Sequence, residues 1–367
     1  MIILLAALLY TFLTICLWYG WLATPSCETP QSKTSGVSIV VAMRNEQNNI
    51  GKLIKCLMVQ QWAGPMQVII VDDHSTDHSV AVAQSFIPLC HFQLLVIANI
   101  GSGKKAAIST GVQQATFPII LTTDADCQMG KYWVQTMYAA LQQPGTRLVT
   151  GPVCIAPART WIERFQAVEM AALIGSTAAF IRFHMPNMGN GANMGYWREV
   201  FEQVGGYRSS WQIASGDDEF LIQQVHDCLG GGVRFVKSAA ALVTTAPQTN
   251  WRALLMQRRR WAAKWRSGRP MRVWGVALLV GLYHLFWVML PCVAILSPSL
   301  LTDIICAFSL KLASEYVFLN AVMQLLRQRK LIGYLLPLQV IYSWYVVCVG
   351  VGAMRGGFVW KERVLVR

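Results

Sequence analysis

Residues Ile2 to Leu22 carry no charge, and the first charged side chain is Glu28. A helix of this length can cross a hydrocarbon core of about 30 Å. A secretory signal peptide would need a basic start and a small-residue cleavage site. The basic start is missing, so the stretch is expected to be an uncleaved anchor. Val273 to Ser297 is a second uncharged span and Leu331 to Met354 a further one. Leu300 to Leu326, between them, contains Asp303, Lys311 and Glu315. Lys311 and Glu315 are four apart, so on a helix they share one face and can pair. The composition agrees with a membrane protein: 54% of residues are hydrophobic and 13% charged, against about a quarter charged in soluble domains.

The net charge of +13 is concentrated locally. Arg252 to Arg272 holds eight Lys/Arg and no acid. Beside an apolar span, such a stretch reads as a cytoplasmic membrane flank rather than a nucleic-acid site. Basic residues after the first span and at Arg327-Gln-Arg-Lys330 point the same way. The expected organisation is an anchor at residues 1–24, a cytosolic domain at 35–270, about three membrane spans at 271–356 and a basic tail at 357–367, all in the cell (inner) membrane. One conflict remains. Three spans after the cytosolic domain would put the tail outside, whereas Arg355, Lys361, Arg363 and Arg367 favour the inside. One of the last segments being re-entrant or interfacial would remove it. The ten cysteines show no metal-ligand spacing or disulfide framework. The six histidines are isolated and are taken as structural.

Between the anchors, short β-branched runs alternate with helical patterns. Val37–Met43, Met66–Val71, Phe92–Ile97 and Pro118–Thr123 read as strands. Asn48–Gln61 and Lys104–Ala115 read as helices between them. This alternation predicts an α/β domain with a mainly parallel sheet, which binds ligands beyond the carboxyl ends of its strands. Further on, Arg159–Phe180, Trp197–Val204 and Asp218–Leu229 read as helices and Val233–Thr244 as a strand.

Eight of the 18 acidic residues fall in three clusters: Asp72, Asp73 and Asp77; Asp124 and Asp126; Asp217, Asp218 and Glu219. Crowded carboxylates repel unless a cation or proton compensates. Asp124-Ala-Asp126 follows a strand and suits a hard divalent cation that also binds phosphate oxygens, although the motif alone is common in loops. Asp72-Asp73 can accept hydrogen bonds from a nucleobase imide or ribose, or simply form an Asx-turn, and Asp77 reads as a helix cap. Lys104 and Lys105 open a helix without P-loop spacing; they can touch a phosphate or carboxylate, or face solvent. Asp218 is the candidate general base, with a helix N-cap role as its rival. Gln257, Arg260 and Trp261 combine a fork for phosphate with a flat face for a sugar, or form a membrane flank.

Together these residues resemble the membrane-bound, inverting family 2 glycosyltransferases, a group that includes cellulose and hyaluronan synthases and ceramide glucosyltransferases. The resemblance covers Val37 to Trp261 and implies a GT-A type, Rossmann-like α/β domain flanked by transmembrane helices. Met43-Arg44-Asn45-Glu46 is similar to the nucleotide-contact segment, which implies donor-binding roles for Arg44 and Glu46. Asp73 is similar to the uridine contact. Lys105, Asp124 and Arg260 are expected on the donor side, and Asp126 with Asp124 at a divalent cation, Mg or Mn. The Gly189-Asn-Gly-Ala-Asn193 loop resembles the acceptor side, which implies acceptor contacts for Asn193, Gln257 and Trp261. Gly216-Asp-Asp218 stands for a Glu-Asp motif, so the base role falls on Asp218. Gln257-x-x-Arg260-Trp261 matches the family's Gln-x-x-Arg-Trp motif.

The resemblance implies transfer of a sugar, with inversion, from a nucleotide sugar (a UDP-sugar by analogy) to a lipid or glycan acceptor. A lipid acceptor fits the small number of spans. A processive polysaccharide synthase of the same family is the alternative, and a non-catalytic nucleotide-binding membrane scaffold is the alternative from another class.

Overall fold

A computed structural model describes residues 1–26, 35–211, 216–263, 271–354, 358–360 and 363–365. Expectations concerning Cys27, Lys264, Arg266, Arg269, Arg355, Lys361 and Arg367 lie outside the described residues. The chain divides into two units. One comprises Ala23–Ala156 and Phe180–Ala246, the other Met1–Leu22, Pro157–Ala179 and Pro247–Arg367.

In chain order, α1 (Ile2–Ala23) precedes β1 (Val37–Met43), α2 (Ile50–Met58), β2 (Met66–Asp72), α3 (Ser79–Ser85), β3 (Gln93–Ala98), α4 (Lys104–Gln113) and β4 (Ile119–Asp124). Next come β5 (Gln128–Met129), α5 (Trp133–Leu141), β6 (Leu148–Thr150), β7 (Val153–Ile155), α6 (Trp161–Arg182), β8 (Met194–Trp197), α7 (Arg198–Gln203) and α8 (Asp217–Leu229). The rest are β9 (Val233–Phe235), β10 (Val243–Thr245), α9 (Trp251–Ala263), α10 (Met271–Leu296), α11 (Leu301–Leu325), α12 (Leu335–Met354), β11 (Phe358–Trp360) and β12 (Arg363–Leu365).

In the α/β unit a seven-stranded sheet has the order β3-β2-β1-β4-β8-β6-β9. β1, β2, β3 and β4 run parallel, and β8 is antiparallel to β4 and β6. The Val/Ile runs of β1 and β2 are buried on both faces, as a sheet covered by helices requires. α2 buries Ile50, Leu53, Ile54 and Leu57, the stripe that a helical period creates. α4 lies close on β1, because a Cβ at Gly111 would overlap Val40; this contact fixes where the start of α4 sits. A smaller sheet has the order β5-β10-β7. The single strand expected over Val233–Thr244 is instead two short strands separated by a 3-10 turn at Ala239–Ala241. β9 pairs with β6 while β10 pairs with β5 and β7, so the chain changes sheets here. The Ser238 hydroxyl caps the turn by accepting from Ala240 N at 3.3 Å.

Among the described residues, four helical segments are long and apolar enough to cross a membrane: Ile2–Ala23, Leu278–Leu296, Pro298–Leu325 and Arg329–Met354. The expected Lys311–Glu315 pair is present at 2.6 Å. Tyr10 Oη donates to Glu315 at 2.5 Å, Gln339 Nε2 donates to Glu315 at 2.6 Å, and Lys311 also donates to Gln339. Intramembrane charge is tolerated when it is neutralised in this way.

Candidate active site

The parallel register aligns the carboxyl ends of the strands. Met43 pairs with Asp72, Asp72 with Ala98, and Ala42 with Asp124. The loops that follow β1, β2, β3 and β4 therefore emerge along one edge, where open α/β sheets bind ligands.

After β1 and β2 the backbone turns through left-handed residues, Asn45 (φ 51°) and His74 (φ 59°). Both are residue types that tolerate this region. Arg44 is buried, and its Nη1 donates to Asp73 O and His74 O, each at 2.7 Å. It thus braces the second turn. Asp73 is 2% exposed. Its Oδ1 accepts from Asn99 Nδ2 at 2.8 Å and Gly103 N at 2.9 Å, linking the ends of β2, β3 and α4. The Glu46 carboxylate accepts from Asn49 Nδ2 at 2.8 Å. The Asp72 carboxylate accepts from Ser75 N, three residues on, at 3.2 and 3.3 Å. The Asp77 carboxylate accepts from Ser79 N and Gln47 N at 3.0 and 3.2 Å. Burial pushes its pKa up, but these bonds prevail and hold it below the usual carboxylate value.

Asp124 ends β4, and its Oδ1 lies 2.6 Å from Lys104 Nζ. The same ammonium lies 3.5 Å from Asp217 Oδ2, at the start of α8. Gly216 takes the left-handed conformation that precedes that helix (φ 83°). Asp218, next in the helix, accepts from Gly191 N at 3.0 Å through Oδ2 and from Glu219 N at 2.8 Å through Oδ1. The helix N-terminus favours this negative charge. A Cβ at Gly191 would come within 3.0 Å of Asp217 Oδ2 and 3.3 Å of Lys104 Nζ, so the loop before β8 lies close against this cluster. Burial alone would lower the Lys104 pKa. The charges of Asp124, Asp217 and Asp218 outweigh it and push the pKa above the usual lysine value.

Asp126 Oδ2 accepts from Thr245 Oγ1 at 3.2 Å. The neighbouring Cys127 is buried, and burial, then Asp124 and Asp126, push its thiol pKa well up, so it stays protonated and unreactive. Among the described residues no three His, Cys, Asp or Glu side chains gather as a metal cluster. Asp124 and Asp126 nevertheless present two hard carboxylates within one turn after β4, held by Lys104 and Thr245. Such a donor set fits Mg or Mn when substrate phosphates supply further oxygens.

Two expected contacts sit elsewhere in this unit. Lys105 is 8% exposed, and its Nζ donates to Ser210 O at 2.6 Å and stands 5.0 Å from the Phe220 ring centre. Its neighbour Lys104 is the lysine that meets the carboxylates. Asn193 is fully buried. Its Oδ1 accepts from Trp133 Nε1 at 2.9 Å, and its Nδ2 donates to Pro152 O at 2.8 Å and Ala241 O at 2.7 Å. This amide ties α5 to two loops.

Gln257, Arg260 and Trp261 belong to the other unit, on α9. Arg260 and Trp261 are half-buried. Arg258, between them and Gln257, is 4% exposed and contacts Glu169 of α6 through Nη2 at 2.6 Å and Nε at 2.9 Å. Tyr345 Oη of α12 donates to the other Glu169 oxygen at 2.9 Å. The Arg258 guanidinium stacks 4.1 Å from the Trp261 ring centre and donates to Gln257 Oε1. Glu169 and Arg258 have no counterpart in the Gln-x-x-Arg-Trp resemblance, whereas Lys104 makes the carboxylate contact that either Lys104 or Lys105 could have made.

Residues 38–205 match the family model for glycosyl transferase family 2. They form a family 2 glycosyltransferase domain. Over 205 residues the chain is 23% identical to glycosyltransferase AglE of Haloferax volcanii, covering 53% of this chain and 66% of that protein. Over 103 residues it is 35% identical to undecaprenyl-phosphate 4-deoxy-4-formamido-L-arabinose transferase of Yersinia enterocolitica, covering 26% of this chain and 30% of that one. The chain therefore spans less than two thirds of the length of these curated relatives. Its fold is similar to that of the mannosyltransferase PcManGT from Pyrobaculum calidifontis, solved with GDP-Man and Mn2+ (TM-score 0.59, 19% identity, 93% of this chain and 98% of that one). The family 2 domain thus has the GT-A fold that its motifs imply.

Proposed function

We propose that this chain transfers a hexosyl group, with inversion, from a nucleotide sugar to a lipid or lipid-linked acceptor at the cytosolic face of the cell (inner) membrane. The observation that carries this reading is the position of Lys104. It links Asp124, at the end of β4, to Asp217, beside Asp218, so the carboxylate pair and the Gly-Asp-Asp turn share one edge of the sheet. A UDP-sugar is the donor by resemblance.

Asp124 and Asp126 would hold a divalent cation, which when bound neutralises diphosphate charge. Asp73, on the loop braced by Arg44, receives the nucleoside, with Glu46 alongside. Lys104 takes the donor-side role expected of Lys105. Asp218 is the base: its carboxylate, aimed by Gly191 N, removes the acceptor hydroxyl proton as the oxygen lone pair forms the new bond to the anomeric carbon. The bond from that carbon to the diphosphate oxygen breaks, and its electron pair leaves with the nucleoside diphosphate. Attack from the face opposite the leaving group inverts the centre. Assignment of Arg260 to the leaving diphosphate, and of Gln257 and Trp261 to the acceptor, rests on the Gln-x-x-Arg-Trp resemblance. Asn193 supports the acceptor-side loop through its buried amide.

A lipid acceptor is supported by the four membrane-length apolar helices among the described residues and by the relative named for undecaprenyl phosphate. The test is to incubate membranes containing the protein with radiolabelled UDP-sugars and a divalent cation. Label in organic-extractable lipid supports the proposal. Label in high-mass polymer favours a processive synthase, and no transfer with any donor favours a scaffold.

A further inference from the structure

Four segments have the length and composition of membrane spans, but we propose that only α1, α10 and α11 cross the bilayer, while α12 lies along its inner interface with one face on the lipid. The inference rests on the membrane reading of the apolar helices and is independent of the enzymatic one.

α1, α10 and α11 form one bundle. The Met1 amino group lies 3.5 Å from Asp303 at the start of α11. Tyr10 stacks on Tyr283 of α10 at 4.1 Å and bonds Glu315. Trp287 and Phe308 meet across the α10–α11 hairpin at 5.9 Å. Met1 and the α10–α11 turn therefore share one end of the bundle, and the last residues of α1 and α11 share the other. α12 begins shortly after α11, at that second end. A crossing helix would carry its last turn back to the Met1 end.

The contacts of α12 place it otherwise. Just before it, Tyr334 bonds Arg164 of α6. In its middle, Tyr342 and Tyr345 lie 6.1 and 5.0 Å from Phe165 of α6, and Tyr345 bonds Glu169. In its last turn, Gly352 lies so close to Arg259 of α9 that a Cβ there would overlap the guanidinium. A helix of this length is about 30 Å long. The residue just before it, its middle and its last turn touch α6 or α9, so its last turn stays at that layer instead of returning to the Met1 end. α9 carries Arg252, Arg258, Arg259 and Arg260, too many charges for a hydrocarbon core. The layer is thus interfacial. Gln339 and Ser343 reach Glu315 and His284 at 2.6 and 3.1 Å, which anchors α12 to the bundle from the side.

The outward face of α12 is a stripe of Leu336, Val340, Trp344, Val351 and Met354, 49–72% exposed. Arg327, Arg329 and Lys330 precede it, and Arg355, Lys361, Arg363 and Arg367 follow it. The stripe is apolar and α12 itself carries no charge, so its lipid-facing side suits the acyl boundary while the basic residues on either side suit anionic headgroups. Three crossings also put the basic tail on the same side as α9, removing the conflict in the charge pattern.

The test uses the full-length protein with a different epitope tag at each terminus, in inverted membrane vesicles treated with protease. The proposal predicts one tag cleaved and the other protected. Both cleaved, or both protected, would mean an even number of crossings and overturn it. As a second measurement, fluorophores at Leu336→Cys, Trp344→Cys and Val351→Cys, with the native cysteines replaced, are quenched by lipids brominated at different depths. The proposal predicts one shallow depth for all three; a deep position 344 between shallow flanks would overturn it. Sugar transfer by the tagged protein, assayed separately, tells a wrong topology from a wrong activity.

Discussion

The Lys104 ammonium lies 2.6 Å from Asp124 Oδ1, although α4 and β4 carry the two residues at separate points of the domain. The same ammonium is 3.5 Å from Asp217. One cation thus spans two acidic clusters, although Asp124 and Asp217 are 93 residues apart in the sequence.

Lys104→Met should weaken use of the nucleotide sugar, raising its KM about 10-fold to 100-fold, the range for one charge-assisted hydrogen bond. Lys105→Met should instead lower thermal stability, because it removes the bond to Ser210 O, with a smaller effect on KM. Steady-state kinetics and melting curves on both variants check the contrast. The opposite pattern would return the donor role to Lys105.

The pH dependence follows from the sign of the Lys104 shift. Its folded pKa is raised, by Asp124, Asp217 and Asp218 against the opposing effect of burial. Its contribution to stability is therefore complete below the unfolded lysine value of about 10.4 and is lost only as pH rises through the higher folded value. Activity between about pH 6 and 9 should then show no limb due to this residue. Lys104→Arg, which stays charged throughout, should leave the shape of the pH–rate profile unchanged. Loss of an alkaline limb in that variant would contradict the assignment.

Arg258 and Glu169 form a buried pair at 2.6 Å, both under 10% exposed. Arg258→Met alone should destabilise the protein by about 3–5 kcal/mol, since it strands a buried carboxylate. Arg258→Met with Glu169→Leu should recover most of that loss. Melting in detergent measures both. A double variant as unstable as the single one would show that the pair does more than neutralise itself.

Asp126→Ala should remove most of the metal-dependent gain in nucleotide binding while leaving the fold intact, since its carboxylate accepts from Thr245 Oγ1 and the Cys127 thiol, both side-chain contacts at the edge of the sheet. Calorimetric titration of UDP with and without Mn2+ reads this directly. An unchanged metal effect would exclude Asp126 as a ligand.

The parallel core was legible because Val37–Met43 and Met66–Asp72 are apolar, Val/Ile-rich runs that stop at polar residues, and a sheet buried on both faces demands such runs. Lys104 was not separable from Lys105. Adjacent helical residues point about 100° apart, and the packing of α4 on the sheet, with Gly111 against Val40 and Val71, goes with Lys104 facing Asp124. The break in Val233–Thr244 was hidden because each half is a plausible strand and the change of sheet is a tertiary event. In the Gln257–Trp261 motif the spacing singled out Arg260. The burial of Arg258 depends on Glu169 and Tyr345, which lie 89 and 176 residues away along the chain from their partners. Asn193 shows the reverse problem: a polar residue in a Gly/Asn loop looks like a ligand contact, yet its amide bonds lie wholly inside the protein.

The central claim is tested most directly with purified Asp218→Asn, by measuring sugar transfer and nucleotide binding on the same sample. Removing a general base costs about 10²–10⁴-fold in rate, whereas the amide keeps the size and the acceptor oxygen that Gly191 N contacts. The account predicts transfer reduced by at least about 100-fold with UDP affinity within about twofold of the unmodified protein. Transfer at an undiminished rate would contradict it.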